Sequence, residues 1–318
     1  NKLRGIKGSK VKLGIKRNNT NDILSYDITR GDIPMVSIDA SYMVDKEIGY
    51  IRIDKFARTT YDEFLQALVK LKNEGAEKYI LDLRGNGGGF MEMAILMANE
   101  FLPENSLIVY TKGRERKNDQ QFWSDGNGSF QNVELAILID EFSASASEIL
   151  AGAIQDNDRG LIVGRRSFGK GLVQKQFQLN DSSAVRMTVS RYYTPSGRCI
   201  QKDYKKGEEA YNQDIYDRYA HGELSNKDSI RIDTSNVFMT VNHRKVYGGG
   251  GIVPDIFVPT DTSGITSYYI NVSNAGLLQK FAYEFAEINR DEFKELNDYK
   301  QFLRILPSNN SLLYDFVT

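Results

Sequence analysis

Two short apolar runs separated by a helical pattern constrain the fold of this chain more than any other feature. Leu135–Ile139 is a continuous apolar run of strand length, and Leu161–Val163 is a second one. Between them, Glu148–Ile154 reads as a helix, with serines before it as caps and Glu148 in its first turn. A strand, a helix and a second strand in this order predict parallel strand pairing within an α/β core.

The same alternation continues on both sides of this segment. Further strands and helices are predicted at Ile48–Ile53, Glu63–Lys72, Tyr79–Leu83, Met91–Phe101, Leu107–Thr111 and Ala184–Tyr193. A polar loop is expected at Lys112–Gln131. The 318 residues are 41% hydrophobic and 26% charged, which suits a globular chain of one large domain or two domains.

Charge and hydropathy remove several classes of function from consideration. The net charge of −1 gives no electrostatic reason to propose a nucleic acid or an anionic membrane as a partner. No run approaches the ~20 apolar residues of a membrane-spanning helix, and no signal-peptide pattern opens the chain. The only histidines are His221 and His243, and the only cysteine is Cys199, so a zinc site lacks ligands. Neither histidine lies beside a Ser or Asp motif, as a Ser-His-Asp triad would suggest.

A candidate nucleophile lies at the junction between the first apolar run and the helix. Ser143, Ser145 and Ser147 alternate with alanines there. A strand–turn–helix junction exposes a hydroxyl at a helix N-terminus, where free backbone N–H groups can stabilise an oxyanion. The alternative is that these serines only cap the helix, which is the commoner role of serine at such a position.

A candidate base follows the second apolar run. Lys170 stands between Gly169 and Gly171, and the two glycines allow close approach of the backbone. A lysine amine acts as the base for a serine hydroxyl when burial or neighbouring cations lower its pKa towards neutrality. Gln174 lies four residues later, at a spacing suited to holding the amine by a hydrogen bond. The alternative is a solvated surface lysine, the usual place of this residue type.

Two glycine patterns resemble nucleotide-binding motifs without completing them. Gly164–Gly171 fits the P-loop pattern except at its last position, where the Ser or Thr that binds Mg²⁺ is missing. Gly85 and Gly87 begin a dinucleotide fingerprint, but Phe90 stands where the third glycine is required. We therefore expect Gly87–Gly89 to be a loop whose backbone N–H groups point at a ligand.

Five motifs in this order resemble those of the tail-specific, or C-terminal processing, serine peptidases of family S41. They extend over roughly residues 45–260, so the resemblance covers most of the chain. The motifs are Asp82–Gly89 (DLRGNGGG), Ser143–Ile149 (SASASEI) with the following GAIQD, Phe168–Gln174 (FGKGLVQ), Arg191–Arg198 (RYYTPSGR) and Gly251–Ile256 (GIVPDI). Any one of them alone is a weak signal, whereas five in order are specific.

The resemblance implies a Ser–Lys dyad without a catalytic histidine. Matched residue by residue, Ser145 is the nucleophile, Lys170 is the general base, and Gln174 orients the lysine. One amide of the oxyanion hole comes from Ala146 and the other from the glycine run, at Gly88 or Gly89. No metal or organic cofactor is required. Asp156 also matches a family aspartate, but it lies roughly 16 Å along the helix from the serine, so we expect a structural role.

The resemblance also implies the fold, the substrates and the location. The fold is an α/β, mixed-sheet catalytic core of the ClpP/crotonase-like type. The substrates are proteins or peptides with free, unstructured and rather apolar C-termini, and the location is the bacterial periplasm or cell envelope. A non-catalytic protein that binds ligands or peptides on the same fold is the alternative, and a homo-oligomer is compatible with either.

The chain divides into three predicted regions. Residues 1–31 contain two alternating strands and resemble the last third of a PDZ domain; the alternative is two extra strands on the catalytic sheet. An incomplete PDZ domain raises the expectation of a poorly regulated or latent enzyme. Residues 32–260 form the predicted catalytic core, with a polar, tyrosine-rich insertion at 203–247 that is a lid, a substrate-side wall or surface decoration. Residues 261–318 form a helical extension that packs on the core or forms a dimer interface.

Overall fold

The computed structural model describes residues 2–17, 22–33, 36–181, 183–204, 207–296, 299–306 and 309–317. They divide into two units, Asn1–Pro259 and Thr260–Thr318. The strands are β1 Lys10–Lys16, β2 Ile23–Thr29, β3 Ile38–Met43, β4 Ile48–Ile53, β5 Lys78–Asp82, β6 Leu107–Gly113, β7 Gln120–Trp123, β8 Glu134–Ile139, β9 Leu161–Gly164, β10 Leu172–Gln178, β11 Ala184–Tyr193, β12 Val237–Met239, β13 Lys245–Tyr247 and β14 Ile256–Phe257. The helices are α1 Thr60–Asn73, α2 Met91–Asn99, α3 Ala146–Asp156, α4 Gly207–Ala220, α5 Ser267–Asn274, α6 Leu277–Ile288, α7 Arg290–Lys294, α8 Tyr299–Ile305 and α9 Asn309–Val317.

The apolar runs identified in the sequence meet in a six-stranded sheet of order β14-β9-β8-β5-β4-β3. All neighbouring strands in it are parallel except β3, which pairs antiparallel with β4. Leu81, Ile137 and Ile162 are paired across β5, β8 and β9, so they lie on one face of the sheet, and all three are completely buried. Ile80, Leu138 and Val163, on the other face, are partly buried. The predicted α/β core with parallel pairs is confirmed, and its sheet is mixed.

A second, four-stranded sheet of order β10-β11-β6-β7 contacts the helices that follow β5 and β8. Strand β6 contacts both α2 and α3. Every residue of α3 is buried, because apolar elements surround it on all sides. The region predicted as a polar loop, Lys112–Gln131, contains the strand β7, whose four residues (QQFW) are too few to show an alternating pattern.

The N-terminal strands β1 and β2 pair with each other and form a sheet of their own. Their antiparallel register runs from Lys10 opposite Thr29 to Lys16 opposite Ile23. The alternative of two extra strands on the catalytic sheet is therefore wrong. The likeness of this segment to part of a PDZ domain stays a prediction.

The second unit is helical, as the sequence predicted from residue 264 onward. The amphipathic patterns at Ala275–Asn289 and Arg290–Leu306 each predict one helix. Helix α6 lies within the first range, whereas the second range is divided into α7 and α8. Aromatic rings join these helices, with Phe285 and Phe293 at 5.9 Å and Phe293 and Phe302 at 5.3 Å between centroids. Within the described ranges, no helix combines the length and the hydropathy needed to cross a membrane.

Candidate active site

Three loops meet at one edge of the central sheet. Strands β5, β8 and β9 are adjacent and parallel, so their carboxyl ends lie side by side. The glycine run, Gly85–Gly89, follows β5, and the serine segment, Ser143–Ser147, follows β8. The lysine loop, Arg165–Gly171, follows β9. In open α/β sheets, ligands bind outside the carboxyl ends of the strands. The topology therefore brings three of the five motifs to the place where this architecture builds sites.

Ser143 and Ser147 hold the site together from inside. The Ser143 hydroxyl donates to the carbonyl oxygen of Leu83 at 2.8 Å, and the Ser147 hydroxyl donates to that of Asn86 at 2.9 Å. Both side chains are completely buried. They connect the serine segment to the glycine run, which leaves neither hydroxyl available for chemistry.

Ser145 differs from both of its neighbours. Its side chain is half-buried, and its hydroxyl donates to no acceptor in the described part of the chain. Its backbone has φ 57° and ψ −112°, which a residue with a side chain rarely adopts. Backbone strain of this kind occurs where the surroundings fix a functional residue in place. Ser145 stands at the N-terminus of α3, in a capping box with Glu148, and is the one serine of the three whose hydroxyl proton has no acceptor among the described residues.

The amides next to Ser145 fall into two groups. Within the described residues, the N–H groups of Ala146 and Gly89 donate to no acceptor, whereas that of Gly88 donates to Asn86 Oδ1 at 2.8 Å. Gly88 has φ +96°, and a Cβ atom on it would lie 2.9 Å from the Ala146 nitrogen and 2.8 Å from the Ser145 Cβ. Only glycine allows the loop to approach the serine this closely.

Glu148 is a buried carboxylate that joins the serine segment to the lysine loop. Its Oε2 atom accepts the backbone N–H of Ser145 at 2.8 Å and that of Lys170 at 2.9 Å. Its Oε1 atom accepts the Gly169 N–H at 2.7 Å and the Ser167 hydroxyl at 2.5 Å. One side chain thereby fixes the backbone of both predicted catalytic residues.

Burial raises the pKa of Glu148 above that of a solvated glutamic acid. The Ser167 hydroxyl and the three backbone N–H groups lower it, because they stabilise the carboxylate. The net shift remains upward, since desolvation is the largest contribution. The four donors aimed at the two oxygens stabilise the carboxylate form and offset part of the cost of desolvation.

The lysine loop is docked on the serine segment through three consecutive amides. Besides those of Gly169 and Lys170, the Phe168 N–H donates to the Ser143 carbonyl at 3.0 Å. Gly169 has φ +87°, and a Cβ atom there would lie 3.1 Å from the Gly251 nitrogen. Glycine is therefore required at position 169, and the close approach of backbones there is the one expected from the sequence.

Tyr192 makes a second connection between the two segments. Its hydroxyl lies 2.7 Å from the Lys170 carbonyl oxygen and 3.0 Å from the Ser145 carbonyl oxygen. Its side chain is completely buried, and burial raises the pKa of this phenol well above 10. Tyr192 therefore stays protonated, and hence a donor, at any working pH.

The predicted base and the residue predicted to orient it are not bonded to each other. Lys170 is half-buried, and its amine has no hydrogen bond or ion pair within the described ranges. Gln174 lies on β10 opposite Thr188, just after a bulge, with its side chain exposed. The structure thus joins Ser145 and Lys170 through their backbones and leaves the amine and the Gln174 amide free within the described residues.

Two contacts of this site were missed by sequence reasoning. Glu148 was interpreted only as a first-turn helix residue, although the spacing from Ser145 to Glu148 is that of a capping box. Tyr192 lies within a predicted motif, but its distance along the sequence from Ser145 and Lys170 does not indicate that its hydroxyl bonds to their carbonyl oxygens. Asp156 has the expected structural role, because its carboxylate pairs with buried Arg198 at 2.7 Å.

Sequence comparison gives the class of protein. Residues 47–210 match Peptidase family S41, which is just over half of the chain. The chain belongs to this family, and its mixed α/β fold is that of the C-terminal processing proteases.

Individual relatives narrow the class. A carboxyl-terminal-processing protease of Synechocystis sp. is 39% identical over 204 residues, which cover 63% of this chain and 47% of the relative. The carboxy-terminal processing protease CtpB of Bacillus subtilis is 32% identical over 237 residues, 74% of this chain and 48% of the relative. The chain therefore spans about half the length of the curated relatives it matches.

A solved structure supports the same fold. The photosystem II D1 C-terminal processing protease is similar with a TM-score of 0.50 and 24% identity. The similarity covers 81% of this chain and 57% of that chain.

Proposed function

We propose that this chain is the catalytic part of a serine-type endopeptidase that hydrolyses proteins near unstructured, rather apolar C-termini. The observation that carries the proposal is the Glu148 carboxylate, one oxygen of which accepts the amides of both Ser145 and Lys170. A nucleophile and a base that act together need a fixed mutual position. The names of the Synechocystis and Bacillus subtilis relatives, both carboxyl-terminal-processing proteases, favour cleavage near C-termini over general proteolysis.

In the proposed mechanism, unprotonated Lys170 takes the proton of the Ser145 hydroxyl while Oγ attacks the scissile carbonyl carbon. The oxyanion is held by the amides of Ala146 and of Gly88 or Gly89; the free amide of Gly89 favours that residue. The lysine ammonium then gives its proton to the leaving amine. Water attacks the acyl-enzyme ester, losing a proton to Lys170, which returns one to Ser145 Oγ. Every proton is accounted for without a metal or an organic cofactor.

Gln174 orients the Lys170 amine in this mechanism by accepting a hydrogen bond from it. The side chain has no partner to give up first, because it is exposed and makes no hydrogen bond within the described residues. The relatives are bacterial, and a periplasmic or cell-envelope location is compatible with them. We propose this location for the chain, where its substrates would be proteins with unstructured, rather apolar C-termini.

The decisive experiment compares the wild type with Ser145→Ala, Ser147→Ala and Lys170→Ala. Casein hydrolysis and covalent labelling by a fluorophosphonate are measured, and circular dichroism checks the fold. We expect Ser145→Ala to abolish both signals, and Lys170→Ala to lower both by about 10²–10⁴-fold. Ser147→Ala is the control: it retains Ser145, so mass spectrometry should still find the fluorophosphonate attached to Ser145.

Other results would point elsewhere. Equal hydrolysis by the wild type and Ser145→Ala would show that another serine or a contaminating protease is responsible. A folded wild type that neither cleaves casein nor takes the probe would favour the non-catalytic binding protein.

A further inference from the structure

We propose that the insertion at residues 203–247 positions the loop that carries Lys170, through α4 and the turn after it. The inference rests on the proposed function, because it assigns a purpose to the position of the base. The insertion was predicted as a lid, a wall or surface decoration. Its buried polar contacts support a fourth role.

Arg218, near the end of α4, holds the backbone of the lysine loop. Its guanidinium donates to the Ser167 carbonyl at 3.0 Å and to the Arg166 carbonyl at 2.5 Å. These carbonyl oxygens lie three and four residues before Lys170. Two bonds from one planar group fix both the position and the direction of the backbone they hold.

Glu223 fixes Arg218 in turn. Its carboxylate accepts the Arg218 Nε–H at 2.8 Å and is bound in a fork by Arg166 at 2.7 Å for both contacts. A buried ion network of this kind adds little net stability over apolar residues of the same volume. What apolar residues do not supply is the fixed geometry, and here that geometry is imposed on the lysine loop.

A second anchor holds the next residue of the loop. The Lys202 ammonium lies 4.0 Å from the centroid of the Phe168 ring, 4.3 Å from that of Tyr211 and 3.1 Å from an Asp214 oxygen. Lys202 also donates its N–H to the Gly169 carbonyl at 3.0 Å. Because Tyr211 and Asp214 belong to α4, the helix contacts the loop at two places.

The insertion and the serine segment thus hold different backbone groups of the same loop. The amides of residues 168–170 donate to Ser143 and Glu148, while the carbonyls of Arg166 and Ser167 accept from Arg218. Arg218 and Glu223 are only 5% and 3% exposed, so they are positioning residues that a substrate cannot touch. A lid or wall would instead present its polar side chains to the substrate.

The test compares Arg218→Ala with Tyr219→Ala, a neighbour that is 67% exposed. A displaced base slows the chemical step, so we expect Arg218→Ala to lower kcat by about tenfold or more. Fluorophosphonate labelling of Ser145 falls by a similar factor, and KM changes less than about twofold. Tyr219→Ala leaves all three unchanged. Arg218→Lys is intermediate, because an ammonium cannot reproduce both bonds of the planar guanidinium.

A second variant covers the case in which Arg218→Ala does not fold. Tyr211→Leu removes one ring of the Lys202 anchor without leaving a buried charge unpaired, and the same fall in kcat is expected. A raised KM with unchanged kcat would make the insertion a substrate wall and overturn the proposal. Unchanged kcat and labelling would make it decoration. A wild type without cleavage or labelling would instead overturn the proposed function.

Discussion

The two sides of the site are built differently. On the nucleophile side, every residue of α3 is buried, and the hydroxyls beside Ser145 are bonded within the core. On the base side, Lys170 is half-buried, and β10 is exposed from Gln174 onward. The position of the nucleophile therefore follows from close packing of the central sheet and helix. That of the base follows from a few directed polar contacts, so it is the more easily altered of the two.

Glu148 and Tyr192 are the contacts that the two sides share. Each bonds directly to a backbone atom of Ser145 and to one of Lys170. The relative strength of these contacts, and the effect of the Gln174 side chain, can be ranked by removing them one at a time.

Glu148→Gln breaks the connection most severely. An amide can accept through only one of its two terminal atoms, so one pair of the four donors is left facing an NH₂ group. We expect kcat to fall by about 10²-fold, because misplacement of reacting groups by about 1 Å has effects of that size. Glu92→Gln, at an exposed first-turn glutamate of α2, serves as the control and keeps the wild-type kcat.

The pH dependence of stability tests the same residue independently of activity. Folding raises the pKa of Glu148 above its value of 4.5 in the unfolded chain. Between pH 4.5 and the raised pKa, the folded protein therefore holds a proton on Glu148 that the unfolded chain has lost. The stability that this residue contributes is thus fully present below pH 4.5 and is lost as pH rises through the raised pKa. Urea unfolding should show the wild type losing stability relative to Glu148→Gln across that window. Parallel curves would contradict the raised pKa.

The nucleophile side was largely predictable from sequence, and the base side was not. Strands β4, β5, β8 and β9 and helix α3 have the apolar runs from which buried elements are recognised, and they place Ser145. Strand β10 has only two apolar residues before an exposed polar stretch, so its pairing with β11 decides its conformation. The contacts of Arg218 with the lysine loop span more than fifty residues, and no local pattern reports them.

Tyr192→Phe breaks the second shared contact with a smaller effect. The ring stays packed, but the Lys170 carbonyl loses the hydroxyl bond. The Ser145 carbonyl keeps the N–H groups of Glu148 and Ile149. We expect a loss of about 1–2 kcal/mol in the free energy of unfolding and a fall of about tenfold in kcat. Urea unfolding and steady-state kinetics measure the two.

The neighbouring Tyr193→Phe is the matched control, because that ring stacks on Tyr110 at 5.0 Å and retains this contact without its hydroxyl. Equal losses in the two variants would mean that the Tyr192 hydroxyl has no specific effect on the dyad.

Gln174→Ala has the smallest expected effect. It distinguishes two ways in which Lys170 could be positioned, by contacts of the loop backbone alone or also by a hydrogen bond from its amine to Gln174. If contacts of the loop backbone alone position Lys170, removing an exposed side chain changes neither activity nor stability. If Gln174 holds the amine during turnover, kcat falls a few-fold, about what one hydrogen bond contributes, while the free energy of unfolding stays within about 0.5 kcal/mol. We expect the second result.

Gln176→Ala, two residues further on the same face of β10 and equally exposed, should keep the wild-type kcat. A fall in both variants would assign the effect to the strand rather than to Gln174. The position of the base would then depend on the backbone contacts of its loop, those with Ser143, Glu148, Tyr192 and the insertion.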